Sequence, residues 1–267
     1  MVVVYSIVAC YGLVLGSFFN VLIYRLPLKK SIVRPASFCP ECKTPIKPRH
    51  NIPILGYLLL RGKCSSCGRP IAIIYPLIEL FTGCAAVAAW HFCVPSLELF
   101  TLQAAPLLIT RVLFLLLLIA ISVIDLRHFI IPDLLTLPFL AMAVALSFIP
   151  GEITPLSMLL GVLAGGGVLF VIGFVGTALL KKEAMGGGDI KLMATAGALW
   201  GPQVALMSIL SGALFGSVYG IAAIIAKKTD ATGHIPFGPF LAAGIWISVM
   251  FGDIILQSYM SFIGVAP

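Results

Sequence analysis

Two aspartates and four cysteines hold most of the reactive potential of this chain. Asp125 closes an apolar run in ISVIDLRHFIIPD, and Asp189 opens another in MGGGDIKL. A charged group inside a lipid-embedded span costs about 2.5–3.5 kcal/mol, so each acid in or beside such a run needs a reason. Two carboxylates brought together cannot both ionise comfortably; they share a proton and titrate as a unit. Such a pair supplies a general base for water and a general acid for a peptide carbonyl or amine, with no acyl-enzyme. No HExxH motif and no convincing Ser-His or Cys-His pairing competes.

A lone aspartate at a helix end has a plainer reading, as an interfacial anchor or N-cap. Asp133 fits it, since IPD followed by an apolar run reads as a helix start. Asp253 fits an interfacial position, and Glu183 and Lys191 fit a solvated face. Glu79 lies a few turns into its helix, where a polar contact between helices and a functional role are equally open. Gly186, Gly187 and Gly188 precede Asp189; without side chains they would let an extended peptide substrate approach the acid, or simply link two helices.

The cysteines stand as Cys39-Pro-Glu-Cys42 and Cys64-Ser-Ser-Cys67, separated by 21 residues. Two CxxC pairs supply a tetrahedron of thiolates, the arrangement zinc prefers in closed, structural sites. Two disulfides or free thiols are the alternatives, the first disfavoured in a reducing cytoplasm. A small loop lacking a sizeable core also needs a staple, and metal binding can provide most of its folding energy. Cys10, Cys84 and Cys93 fall in apolar runs and are expected to pack as small apolar residues.

The elements that must position these groups are membrane helices. Of 267 residues, 60% are hydrophobic and 10% charged, against about 45–50% and 25% in soluble domains. Mean hydropathy is +1.12. These values exclude a disordered chain, a nucleic-acid-binding tail protein and an ordinary cytosolic enzyme. Met1–Tyr24 is uncharged and followed, not preceded, by positive charge, which reads as a retained helix instead of a signal peptide. Further helices are expected near 71–92, 104–124, 131–149, 155–180, 190–200, 203–226 and 236–259, with a break at Trp200-Gly201-Pro202. This gives an all-α polytopic membrane protein of about eight transmembrane helices with a zinc-ribbon-like loop. No internal repeat stands out.

With the N-terminus outside, the loops at 25–70, 125–130, 181–191 and 227–235 face the cytoplasm and carry 16 of the 17 Lys and Arg. Only Arg111 lies near the opposite side, where it could snorkel outward. Asp125 and Asp189 then share the cytoplasmic face. The expected domains are a first helix at 1–24, a cytoplasmic tetracysteine module at 25–70, a second helix and outer loop at 71–103, and a six-helix domain at 104–267 that carries both aspartates.

Over nearly its whole length the chain resembles the type IV prepilin leader peptidase/N-methyltransferase family, the GxGD intramembrane aspartic proteases of peptidase family A24. The resemblance runs through GSFFNVLIYRLP, CPEC, NIP, CSSC, YPLIEL, IDLRHFIIPD, MGGGDIKLMATAG and HIPFGPFLAAG, in that order. It implies that Asp125 and Asp189 are the catalytic pair, that Gly186 and Gly188 are the GxG, and that Cys39, Cys42, Cys64 and Cys67 form the loop's metal site. It implies prepilins and pseudopilins as substrates, cut after a glycine at the cytoplasmic face of the bacterial inner membrane, and no nucleic-acid partner. It also implies N-methylation of the new N-terminus from S-adenosylmethionine, to which Gly16, Asn20, Arg25 and Glu79 are assigned as candidates; the first three could equally be packing, a polar contact and an anchor. The alternatives are a peptidase without methyl transfer, a transporter with a structural zinc loop, whose acids would gather at the bilayer midplane, or a scaffold subunit of a secretion machine.

Overall fold

The computed structural model describes residues 2–94, 100–150, 153–182, 184–226 and 235–264. These fold into ten α-helices with no strand longer than an isolated bridge. The chain divides into two compact units, Met1–Pro95 and Ser96–Pro267.

The first unit pairs α1 (Val2–Arg25) with α3 (Ile74–Cys93). Small residues let the two backbones approach closely: a Cβ on Gly16 would fall 2.7 Å from Glu79 Cα. Cys10 and Cys84 on these helices are exposed. They face outward instead of filling the interior, a position that suits an apolar thiol against lipid.

Between the two helices lies the polar loop, with one 3₁₀ turn (Pro48–His50) and α2 (Leu55–Leu59). The loop contains a repeat that the sequence hides. Cys39 N–H donates to Thr44 O, Lys43 N–H to Cys39 O and Ile46 N–H to Ser37 O. Twenty-five residues on, Cys64 N–H donates to Arg69 O, Gly68 N–H to Cys64 O and Ile71 N–H to Gly62 O. Lys43 and Gly68 occupy the matching left-handed position, at φ 59° and 69°. The repeat is one of backbone geometry; beyond the cysteines and a following Pro-Ile its side chains differ.

The second unit comprises α4 (Ala105–His128), α5 (Asp133–Leu146), α6 (Pro155–Val162), α7 (Val168–Leu180), α8 (Gly187–Trp200), α9 (Pro202–Ile225) and α10 (Gly238–Phe262). A π-helical turn, Leu163–Gly167, joins α6 to α7 into one 26-residue span. Prolines stand in the first turn of α4, α6, α9 and α10, where their missing N–H removes no intrahelical bond. Gly201, at φ +85°, makes the expected break between α8 and α9.

Two helices fill the interior. Along α4, Phe114, Leu115, Leu118, Ile121 and Ile124 are buried, and along α8, Leu192, Met193, Ala196 and Leu199 are completely so. Leu241 and Ile245 of α10, which packs against both helices, are completely buried as well. The two acid-bearing helices are thus the core of this unit, and α7 and α9 present broad apolar faces outward.

Six helical spans among the described residues are long and apolar enough to cross a bilayer. The chain is a multi-pass membrane protein. The expectation of eight passes is met by length in only six. The other two segments, α5 and α8, have 14 residues each, about 21 Å against a hydrocarbon core of about 30 Å. Arg111 does not extend freely outward: its Nε donates to Leu199 O, 2.9 Å away, capping the C-terminal end of α8.

Candidate active site

Asp125 lies one turn inside α4, which runs on to His128, so the acid does not end its helix as the apolar pattern suggested. Asp189 is the third residue of α8. Gly187 and Gly188 are the opening residues of that helix, not a flexible linker. Both acids are buried, at 6% and 9% exposure, although their carboxylates terminate apolar segments.

Each acid faces a helix N-terminus. Asp189 stands in the first turn of α8, where the unpaired N–H groups favour negative charge. Asp125 Oδ2 accepts the backbone N–H of Gly238, the first residue of α10, at 2.9 Å. No hydrogen bond among the described residues joins the two carboxylates directly. Ile131, in the α4–α5 connection, sits between the acids' supports. A Cβ on Gly188 would fall 2.8 Å from Ile131 Cβ, and one on Gly238 would fall 3.2 Å from Ile131 Cδ1 and 2.8 Å from Asp125 Oδ2. A Cβ on Gly186 would fall 2.9 Å from Asp189 Oδ2, whereas Gly187 faces open space.

Gly238 belongs to HIPFGPF, a segment whose contribution sequence reasoning did not identify. Its partner is 113 residues away, and nothing local signals the bond. His234 of the same segment and Glu183 lie outside the described residues. Asp133 opens α5 as expected and pairs with Lys191 at 2.7 Å, both half-exposed. Asp253 accepts a long contact from Gln203 Nε2 at 3.5 Å.

In the first unit the four cysteine sulfurs converge within 4.8 Å of one another. Cys39 and Cys67 Sγ are 3.9 Å apart, and Cys42 and Cys64 Sγ 4.0 Å. A tetrahedron with Zn–S bonds of about 2.3 Å has edges of about 3.8 Å, so the cluster fits a metal ion of that kind. The hydroxyl and backbone N–H of Thr44 bring the half-buried Cys42 thiol down to about 6. Backbone N–H groups of Cys67 and Ser66 lower that of Cys64. At Cys67 the Arg69 N–H favours the thiolate, but desolvation and the neighbouring sulfurs prevail and raise it to about 11.

Beside this cluster is a cavity of about 400 Å³, lined by Asn20, Tyr24, Phe38, Tyr57, Tyr75 and Glu79 among others. Glu79 Oε2 accepts the N–H of Ile54 at 2.7 Å, tying α3 to the start of α2. Asn20 Nδ2 donates to Tyr75 O at 3.1 Å. Arg25 also lines the cavity, but its guanidinium is engaged by the carbonyls of Ser31, Pro35 and Ala36. Gly16 is not in the lining; it is the close-packing point of α1 on α3.

Residues 10–92 match the family described as the bacterial peptidase A24 N-terminal domain, and residues 112–221 the type IV leader peptidase family. A prepilin leader peptidase/N-methyltransferase of Bacillus subtilis (strain 168) is 36% identical over 255 residues, covering 96% of this chain and 97% of that one. The chain belongs to the type IV leader peptidase family. Relatives of the same description in Aeromonas hydrophila and Pseudomonas aeruginosa are 34% and 35% identical, over 96% and 95% of this chain and 94% and 92% of theirs. Both matched family regions lie within single compact units, one in each. No solved structure matches the chain.

Proposed function

We propose that this protein removes the basic leader from type IV prepilins and pseudopilins at the cytoplasmic face of the bacterial inner membrane, then methylates the new N-terminus. The observation that carries the proteolytic half is the pair of buried acids, each set against a helix N-terminus in the core of the second unit. Asp125 and Asp189 share one proton. The ionised carboxylate takes a proton from water as its oxygen attacks the scissile carbonyl; the protonated one supports the carbonyl oxygen and passes its proton to the leaving amine. The absence of side chains at 186–188 leaves room for a substrate strand beside Asp189, and Gly187 has no neighbour to displace. A pilin-type substrate has an apolar helix in the bilayer, so its cleavage site sits at the interface, and it must be unwound there before its carbonyl is accessible.

The orientation follows from the lysines and arginines: 16 of 17 fall in loops that share one side when the N-terminus is outside. Of the two readings of Glu79, the cavity favours the functional one. Its carboxylate and the Asn20 amide offer polar atoms, and Tyr24, Phe38, Tyr57 and Tyr75 offer rings, a donor set that fits a cationic sulfonium attached to a nucleoside. S-adenosylmethionine would supply an electrophilic methyl group there. Asn20 and Glu79 would hold it; Gly16 and Arg25 would shape and brace the walls. Zinc would occupy the four cysteines, closed to water and therefore structural.

The test is direct. Purified full-length protein is incubated with a prepilin, with and without S-adenosylmethionine, and the product is weighed. Loss of the leader in both reactions, with one added methyl group only when the donor is present, is expected. An intact prepilin in both would overturn the assignment, and cleavage without methylation would remove its second half.

A further inference from the structure

The short helix α2 is amphipathic in a direction the soluble side of a loop does not require. Leu55, Leu58 and Leu59, spaced to share one face, are 55%, 60% and 71% exposed. The opposite side is inward: Gly56 is buried, and Tyr57 and Leu60 line the cavity. Three exposed leucines on a five-residue helix need a cover.

Two observations identify it. The first is depth. Ile54 N–H, at the entrance to α2, is bonded to Glu79, the sixth residue of membrane helix α3. That holds the segment alongside the second turn of α3, about 7.5 Å along its axis from the helix start, which is the thickness of a headgroup layer. The second is charge. Residues 25–70 hold ten Lys and Arg against one acid, Glu41, and every one of these cations except Arg25 is exposed. Arg49, Arg61 and Lys63 flank α2 itself. A basic leader would be repelled by this surface; an anionic lipid leaflet complements it.

We propose that α2 is an interfacial helix, its Leu55–Leu58–Leu59 face inserted at the headgroup–acyl boundary of the leaflet on the loop's own side, with the flanking cations on anionic headgroups. Loop, metal cluster and cavity are thereby held against the membrane at a third point besides α1 and α3.

The experiment replaces Leu59, and separately Leu58, by the photoreactive p-benzoylphenylalanine in the full chain. The protein is reconstituted in phosphatidylethanolamine–phosphatidylglycerol vesicles and irradiated, and phospholipid adducts are counted by mass. Phe174, 67% exposed on α7, is the lipid-facing reference, and Glu41 the aqueous one. Adduct yields at either leucine within about threefold of Phe174, and about tenfold above Glu41, are expected. Yields at both leucines equal to Glu41, with Phe174 labelled, would overturn the proposal. So would capture of a protein instead of lipid at these positions in intact cells, which would make α2 a docking face for a polypeptide. Vesicles of phosphatidylcholine alone should give lower yields at both leucines; unchanged yields would remove the electrostatic part.

Discussion

The substitution Gly238→Ala perturbs the support of one of the two proposed catalytic acids without replacing the acid itself. The new Cβ would fall 2.8 Å from Asp125 Oδ2 and 3.2 Å from Ile131 Cδ1, closer than carbon normally approaches either atom. The carboxylate must turn or α10 must move back, and in both cases the 2.9 Å bond from Gly238 N–H is lengthened or lost. A hydrogen bond to a charged group contributes about 1.5–3 kcal/mol. At about 1.4 kcal/mol per factor of ten, its loss in the reactive state lowers kcat by about 10- to 150-fold. The assay is initial-rate leader cleavage in proteoliposomes, with KM expected to change much less than kcat, because the substrate strand is placed near Gly187 and not near α10. Gly252→Ala on the same helix is the control. Its Cβ meets only Met207, at 3.6 Å or more, so a rate within about twofold of the parent is expected. A Gly238→Ala enzyme as fast as Gly252→Ala, with both folded, would refute the reasoning.

Three further outcomes are expected. Metal analysis should find about one zinc per chain, lost when Cys39 and Cys64 are both replaced by serine; full retention would contradict the four-sulfur site. Glu79→Ala should remove methyl transfer about a hundredfold or more while leader cleavage stays within about threefold; equal loss of both activities would give Glu79 a purely structural role through Ile54. Asp133→Asn breaks an exposed ion pair with Lys191, and such pairs contribute about 0–1 kcal/mol; leader cleavage should be nearly unchanged, and a large fall in rate would place Asp133 in the chemistry.

The membrane helices were legible because their signal is local. Apolar runs, the prolines that open four of them and the Gly201 break all act within a few residues, and the segments expected from 71–92 onward recur within four residues of their observed ends. Asp125, Asp189 and the four cysteines were legible because charge in an apolar run and paired CxxC spacing are conspicuous. What stayed hidden depends on distant pairs. The Gly238–Asp125 bond spans 113 residues, and Glu79–Ile54 spans 25 with a loop between them. The backbone repeat of the cysteine hairpins leaves little trace in side chains, since Lys43 and Gly68 serve the same left-handed turn. The segment expected at 190–200 is short already in the sequence, and α8 extends it only to 14 residues. The shortness of α5 was hidden because the apolar residues Phe148 and Ile149 continue past its end at Leu146, and hydropathy does not register where the helix stops.

The central claim is that Asp125 and Asp189 act as one catalytic unit. Replacing each separately by asparagine keeps shape and volume and removes only the ability to carry charge and trade a proton. Each purified variant, reconstituted and incubated with a prepilin to the limit of detection by mass, should leave the leader in place while retaining zinc and a normal unfolding temperature. Leader removal at the parent rate by either variant would contradict the claim.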